Sequence, residues 1–112
     1  MRELHAVILC ASAMSSSMIV EALKKVAPKK GVNLTVSCSA SLRYRTFDFG
    51  GLDIVLIAPQ IKGQMQDIKK FAAEKGYQDL PFMLIPMREY GLAKGEAVLD
   101  MMLKTLEEAG KL

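Results

Sequence analysis

The chain has 112 residues, of which 51% are hydrophobic and 24% are charged. This length is enough for one domain and too short for two ordinary ones, and the composition excludes global disorder. The net charge of +3 is too small to indicate a nucleic-acid partner by itself. No apolar stretch approaches the roughly 20 residues that span a bilayer, and residues 1–5 do not resemble a secretion signal. We therefore expect a cytoplasmic protein that binds no nucleic acid and does not insert into a membrane.

The few metal-ligating side chains limit the chemistry further. Cys10 and Cys38 do not form a Cys-x-x-Cys pair, and His5 is the only histidine. These residues do not have the spacing of a zinc site, and a reducing cytoplasm keeps both cysteines as thiols. We expect neither a metal ion nor a cofactor.

Apolar runs and helical spacings alternate along the chain. The apolar runs predict four strands, at residues 4–9, 33–40, 53–58 and 82–85. Helical spacing predicts three helices, at residues 16–27, 62–75 and 93–109. We expect residues 41–51 to form a connection with one helical turn, and residues 87–91 to form a loop. In the first helix, the predicted buried stripe consists of Met18, Ala22 and Val26, with Ile19 and Leu23 beside it.

Strands that alternate with helices predict an α/β fold. The strands at 4–9 and 53–58 are apolar on both faces, which is typical of a parallel sheet covered by helices on both sides. With right-handed crossovers, the simplest arrangement is a three-layer, flavodoxin-like sandwich with strand order 2-1-3-4. Ligands bind such sheets at the carboxyl ends of the strands, beside the switch point between strands one and three.

The first strand ends in a loop of small residues that leads directly into the first helix. This loop reads Cys10-Ala11-Ser12-Ala13-Met14-Ser15-Ser16-Ser17. A helix start has unpaired N–H groups and a partial positive charge, so it suits an anion, above all phosphate. The same surroundings favour the nucleophilic thiolate form of a cysteine. We therefore hypothesise that Cys10 attacks a phosphoryl group and carries it as a thiophosphate.

Other residues near this loop have ordinary structural interpretations. One of Ser15, Ser16 and Ser17 is expected to cap the helix, and Met14 is either a core residue or an exposed contact. Cys38 is interpreted as a buried strand residue, although an oxidation-sensitive pair with Cys10 stays open.

The segment 43–45 interleaves arginines with a tyrosine, as some RNA-binding surfaces do. A solvated connection between two strands explains it better than an RNA-binding surface does. We therefore assign no function to it.

Two other functions fit a cysteine at this position. A small cysteine phosphatase or arsenate reductase has arginine six residues after its cysteine, where this chain has Ser16. A phosphatase also needs an acid for its leaving group, and Asp79 is only a weak candidate. The second alternative is a non-enzymatic redox or binding module that carries no covalent phosphate.

The spacing Cys-x-x-x-Met-Ser-Ser-Ser after an apolar strand resembles the IIB component of the lactose/cellobiose/chitobiose family of the bacterial sugar phosphotransferase system (PTS). The similarity continues in the strand that runs into Pro59-Gln60-Ile61 and in Tyr90-Gly91 before the last helix. It covers nearly the whole chain as a single domain. The family fold is flavodoxin-like and similar to low-molecular-weight tyrosine phosphatase.

The resemblance implies a phosphoryl relay. A histidine of the IIA component would donate to Cys10, which would pass the group to a sugar delivered by the membrane-embedded IIC component. By the matching motif, Cys10 is the nucleophile and residues 11–17 form the phosphate-binding loop. Pro59, Gln60, Ile61 and Tyr90 are candidate rim or partner contacts. The resemblance implies no metal ion.

Overall fold

The computed structural model of the chain describes residues 2–11 and 16–111. Its strands are β1 (Arg2–Cys10), β2 (Val32–Ala40), β3 (Ile54–Ile57) and β4 (Phe82–Leu84). Its α-helices are α1 (Ser17–Val26), α2 (Met65–Glu74), α3 (Met87–Gly91) and α4 (Gly95–Glu108). Three 3₁₀ segments connect these elements, at Ala27–Lys30, Ser41–Thr46 and Pro59–Gln64. In the described part of the chain, no helix has both the length and the hydropathy needed to cross a bilayer.

The four strands form one parallel sheet in the order β2-β1-β3-β4, which confirms the predicted α/β topology. The inner strands are buried over consecutive residues, from Ala6 to Cys10 in β1 and throughout β3. Successive strand side chains point to opposite faces, so both faces of the sheet are covered. β2 alternates between buried and more exposed residues, as expected of an edge strand.

Residues 87–91 form the short helix α3, so the prediction of a loop there was wrong. The extended backbone of Pro86 (φ −62°, ψ 144°) starts this helix. Five residues are too few to display a helical period in the sequence, which explains why the pattern missed it.

The chain also keeps a helical path beyond the predicted end of α1. A 3₁₀ segment continues from Ala27 to Lys30, and Pro28 lies in its first turn. A proline is tolerated there because the first N–H groups of a helix have no partner within it. Gly31 then ends the segment with a left-handed backbone (φ 72°).

The buried side of α1 differs from the predicted stripe. Met18 was expected in the core, but its side chain is 72% exposed, so that prediction was wrong. The buried residues are Ile19 and Leu23, which were expected beside the stripe, and Val20. This side packs against both the sheet and α4, because α1 contacts both. A helix with two partners buries a different arc from one that rests on a sheet alone.

The contact between α1 and α4 depends on one glycine. A Cβ at Gly95 would lie 2.6 Å from the carbonyl carbon and oxygen of Ala22, so no larger residue fits without a shift of one helix. Close by, Lys30 forms ion pairs with Glu96 (3.3 Å) and Asp100 (3.5 Å). The hydrogen bond to Glu96, followed by the charge of Asp100, raises the pKa of Lys30. All three side chains are solvated, so the ion pairs contribute little stability beside the close helix contact.

We predict that Gly95→Ala lowers the free energy of unfolding by about 1–3 kcal/mol, because the added methyl group overpacks a backbone contact. Urea denaturation measures the change. Gly63→Ala is the matched control, since a Cβ at Gly63 meets nothing within 4 Å and should leave the stability nearly unchanged. Equal stability of the two variants would contradict the importance assigned to this contact.

Candidate functional site

Cys10 is the last residue of the central strand β1 and pairs in register with Ala40 of β2. Its side chain is completely buried. The Sγ atom donates a weak hydrogen bond to the backbone carbonyl oxygen of Ser39, at 3.8 Å. The thiol therefore rests against the backbone of β2, and in this state solvent does not reach it.

The predicted phosphate-binding loop is only partly described. Ala11 is exposed, whereas Ser12, Ala13, Met14 and Ser15 lie outside the described residues. The ten-residue helix α1 begins at Ser17 and has no acidic residue in its first turn. The positive end of its dipole is therefore not neutralised by a carboxylate of its own first turn, which favours an anion at this terminus.

Ser16 occupies the N-cap position of α1 but makes no side-chain cap hydrogen bond. Its backbone (φ −92°, ψ −6°) is helical rather than extended, unlike that of a typical capping serine. The Ser16 hydroxyl instead hydrogen-bonds the phenol hydroxyl of Tyr90 at 3.0 Å, and both residues are buried. The Ser16 hydroxyl therefore connects the start of α1 to α3, and the expectation that one of three serines caps the helix stays a prediction because Ser15 lies outside the described residues.

The segment after β3 lies beside the end of β1. The Ala58 N–H donates to the Leu9 carbonyl at 2.9 Å, which brings the Pro59–Gln64 segment next to Cys10. Of the four candidate rim residues, only Gln60 is exposed, because Pro59, Ile61 and Tyr90 are buried. A partner in contact with this rim would thus meet Gln60 first.

Cys38 lies on the same face of the sheet as Cys10, two register positions before the strand ends. Burial raises the pKa of the Cys38 thiol, and the neighbouring Cys10 adds to this. With strands about 4.8 Å apart and a rise of about 3.3 Å per residue, the two Cα atoms are roughly 8 Å apart. A disulfide requires less than about 7 Å, so Cys10 and Cys38 cannot form one without backbone movement.

Other polar candidates lie at the opposite edge of the sheet. The exposed residue His5 lies in the first half of β1, where its backbone N–H donates to Asp53 Oδ2 (2.7 Å) just before β3 begins. Asp79 lines a surface cavity together with Asp53, also ahead of the strands. Within residues 2–11 and 16–111, no three His, Cys, Asp or Glu side chains are grouped in a way that could hold a metal ion.

The ring of Tyr44 packs against other side chains of the protein. The Arg45 guanidinium carbon lies 5.0 Å from the centroid of the Tyr44 ring, and this ring packs edge-on against Phe71 at 5.4 Å. These contacts are consistent with the interpretation of residues 43–45 as a structural connection.

The sequence pattern did not identify the exposed apolar residues near the site. Met18, Met87 and Leu92 are 72%, 69% and 62% exposed. Met18 lies in the first turn of α1, and Met87 begins α3 soon after β4. Both helices start at the carboxyl edge of the sheet, where Cys10 ends β1. The unusual exposure of a large side chain is visible only once the fold is known.

We predict that Tyr90→Phe lowers the free energy of unfolding by about 1–2 kcal/mol, because it removes a buried hydrogen-bond partner of Ser16. Combined with Ser16→Ala, the loss should be smaller than the sum of the two single losses, as for residues in contact. A double-mutant cycle by urea denaturation measures this coupling. Strictly additive losses would show that the two hydroxyls do not interact.

We predict that Cys38 becomes reactive only at high pH. Its raised pKa keeps it as a thiol at neutral pH, so its alkylation should accelerate at pH values above the ordinary range for cysteine. Iodoacetamide labelling of the Cys10→Ser variant as a function of pH isolates this thiol. A midpoint at or below the ordinary cysteine value would contradict the burial of Cys38.

The comparison with known proteins agrees with this geometry. A model of the "PTS system, Lactose/Cellobiose specific IIB subunit" matches residues 5–101. The chain is 27% identical over 94 residues to the galactose-specific EIIB component of Lactococcus lactis subsp. cremoris, covering 80% of this chain and 84% of the relative. The cellobiose-specific EIIB component of Lactococcus lactis subsp. lactis matches with the same identity and coverage.

Two solved structures share the fold. The cellobiose-specific IIB component of Borrelia burgdorferi superposes with a TM-score of 0.72 at 27% identity, covering 96% of this chain and 94% of that one. The lactose-specific IIB domain of Streptococcus pneumoniae gives a TM-score of 0.74 at 23% identity, covering 93% and 98%. The family match over most of the sequence and the common fold together show that this chain belongs to the lactose/cellobiose-specific IIB family of the sugar phosphotransferase system, whose members are phosphotransferases.

Proposed function

We propose that the chain is a cytoplasmic phosphoryl carrier in which Cys10 is the phosphorylated residue. The Cys10 thiolate attacks the phosphorus atom of a phosphohistidine on a IIA component; an S–P bond forms and the P–N bond breaks, leaving the histidine. A hydroxyl group of a sugar bound by the IIC component then attacks the same phosphorus atom. The S–P bond breaks, the thiolate is restored, and the hydroxyl proton passes to solvent.

The observation that carries this proposal is the position of Cys10 at the end of the central strand, ahead of the N-terminus of α1. In this position a phosphoryl group on Cys10 meets the positive end of the helix dipole. The loop comprises Ala11, Ser12, Ala13, Met14, Ser15, Ser16 and Ser17. We assign it the binding of the phosphoryl oxygens in both transfer steps.

A carrier is favoured over a phosphatase because of two features. Residues 10–17 contain no Arg, Lys or His, so the loop has no cationic side chain to stabilise the charge of hydrolysis. Asp79, the only acid considered for the leaving group, lies near the amino ends of the strands, beside Asp53. A site without either group holds phosphate and passes it on without promoting attack by water.

Transfer between proteins requires that the Cys10 sulphur becomes accessible. Its complete burial means that residues around it must move before a phosphohistidine can approach in line. The exposed methionines Met18 and Met87 and the exposed Gln60 lie on elements that begin at the same edge. We assign them to the surface on which IIA and IIC dock in turn. The apolar methionine side chains adapt readily to two different partners.

The substrate proposed for the relay is a sugar of the lactose, cellobiose or chitobiose type. The two similar Lactococcus lactis components are specific for galactose and cellobiose by name, and the two solved structures for cellobiose and lactose. The membrane component contacts the sugar and selects among these substrates.

We predict that Cys10→Ser abolishes sugar phosphorylation in a reconstituted relay while the fold is retained, because serine is not an activated nucleophile here. Cys38→Ser is the matched control and should support the wild-type rate. The measurement is the formation of sugar phosphate with IIA and IIC present, together with the circular dichroism of both variants. Sugar phosphorylation by the folded Cys10→Ser variant would refute the assignment, and phosphate release from an aryl phosphate by the wild type would favour a phosphatase.

A further inference from the structure

Ser41 carries an unsatisfied hydroxyl in the interior. The residue is only 1% exposed, and its Oγ atom has no hydrogen-bond partner among the described residues. It is the one buried side-chain oxygen or nitrogen in this condition among the residues that the structure describes. A buried polar atom without a partner is unfavourable, and its presence in a folded protein calls for an explanation such as a ligand.

Ser41 follows β2 directly, at the same edge of the sheet as Cys10. It comes next after Ala40, the register partner of Cys10. The Cys10 Sγ atom already contacts the carbonyl of Ser39, two residues before Ser41. Ser41 and Cys10 therefore lie at the ends of adjacent strands, on the same edge of the sheet.

We propose that the Ser41 hydroxyl donates a hydrogen bond to an oxygen of the phosphoryl group carried by Cys10. This inference rests on the proposed function of Cys10 and adds to it a residue outside the Cys10–Ser17 loop. A hydroxyl has a free O–H donor, and a phosphoryl dianion has oxygens that accept such a bond strongly. No cationic side chain is involved, which agrees with a group that must be held and then released.

The proposed contact stabilises the phosphorylated form over the free form. In the free protein the Ser41 hydroxyl is buried and has no partner within residues 2–11 and 16–111, which is unfavourable. In the phosphorylated protein it is paired with a charged acceptor. Only an interaction that differs between the two states can shift the transfer equilibrium. Ser41 would therefore raise the share of the phosphoryl group that resides on Cys10 rather than on its donor.

The stability of the free Ser41→Ala variant distinguishes the proposed contact from a purely structural role of Ser41. If Ser41 only supported the fold, its replacement by alanine would destabilise the free protein. If its hydroxyl gains a partner only when Cys10 is phosphorylated, Ser41→Ala leaves the stability of the free protein unchanged or higher. The variant should at the same time carry phosphate less favourably.

The test measures the equilibrium of phosphoryl transfer between a phosphorylated IIA protein of the lactose/cellobiose type and the purified chain. We expect Ser41→Ala to shift this equilibrium about tenfold toward the donor, from the typical strength of a hydrogen bond to a charged group. Ser41→Thr keeps the hydroxyl and should restore an equilibrium close to that of the wild type. Ser37→Ala, which changes an exposed serine of β2, is the matched control and should leave the equilibrium unchanged.

The possible outcomes are distinct. If the wild type takes up no phosphate on Cys10, the proposed function fails and this inference fails with it. If the wild type is phosphorylated and Ser41→Ala has the same transfer equilibrium, the Ser41 inference alone is overturned. A lower melting temperature of free Ser41→Ala would also overturn it, since the hydroxyl would then have a partner in the free protein.

Discussion

The parallel pairing of β1 with strands on both sides is the constraint on which the rest of the structure depends. β1 pairs with β2 along its whole length and with β3 over its second half, so its carboxyl end is fixed from two directions. That end is Cys10. The next residues must leave the sheet and enter α1, whose position is in turn fixed by the close contact between Ala22 and Gly95. The reactive sulphur and the helix start are therefore held by the most buried part of the molecule.

The hydroxyl groups around this end fall into two classes. The Ser16 hydroxyl forms a hydrogen bond with the Tyr90 hydroxyl and connects α1 to α3. The Ser41 hydroxyl is buried without a partner in the described structure. The first stabilises the free protein, whereas the second is a cost in the free protein that a bound phosphoryl group would offset. A carrier that uses neutral donors in this way can hold a phosphoryl group without holding it too tightly to pass on.

Much of the fold could be predicted from the sequence because strong patterns carry it. The continuous apolar run of β3 and the helical period of α4 predicted a covered parallel sheet, and the strand order followed from right-handed crossovers. The pattern could not predict the short helix α3, nor which side of α1 is buried when that helix packs against two partners. α3 is too short for a period, and the burial of α1 depends on α4, which is distant in the sequence.

The position of Cys10 at a strand end was predictable, because small residues follow an apolar run there. The partners of individual hydroxyls were not. Nothing in the local sequence links Ser16 to Tyr90, which lies 74 residues away, and nothing distinguishes Ser41 from the preceding serines Ser37 and Ser39. Such contacts arise only when separate strand ends meet in the folded sheet.

The central claim is that Cys10 itself carries the phosphoryl group. Its most direct test is to incubate the purified chain with a phosphorylated IIA protein and to locate the modification by mass spectrometry under conditions that preserve thiophosphates. The account predicts a single phosphoryl group on Cys10. A phosphoryl group on His5 or on a serine, with Cys10 unmodified, would contradict it.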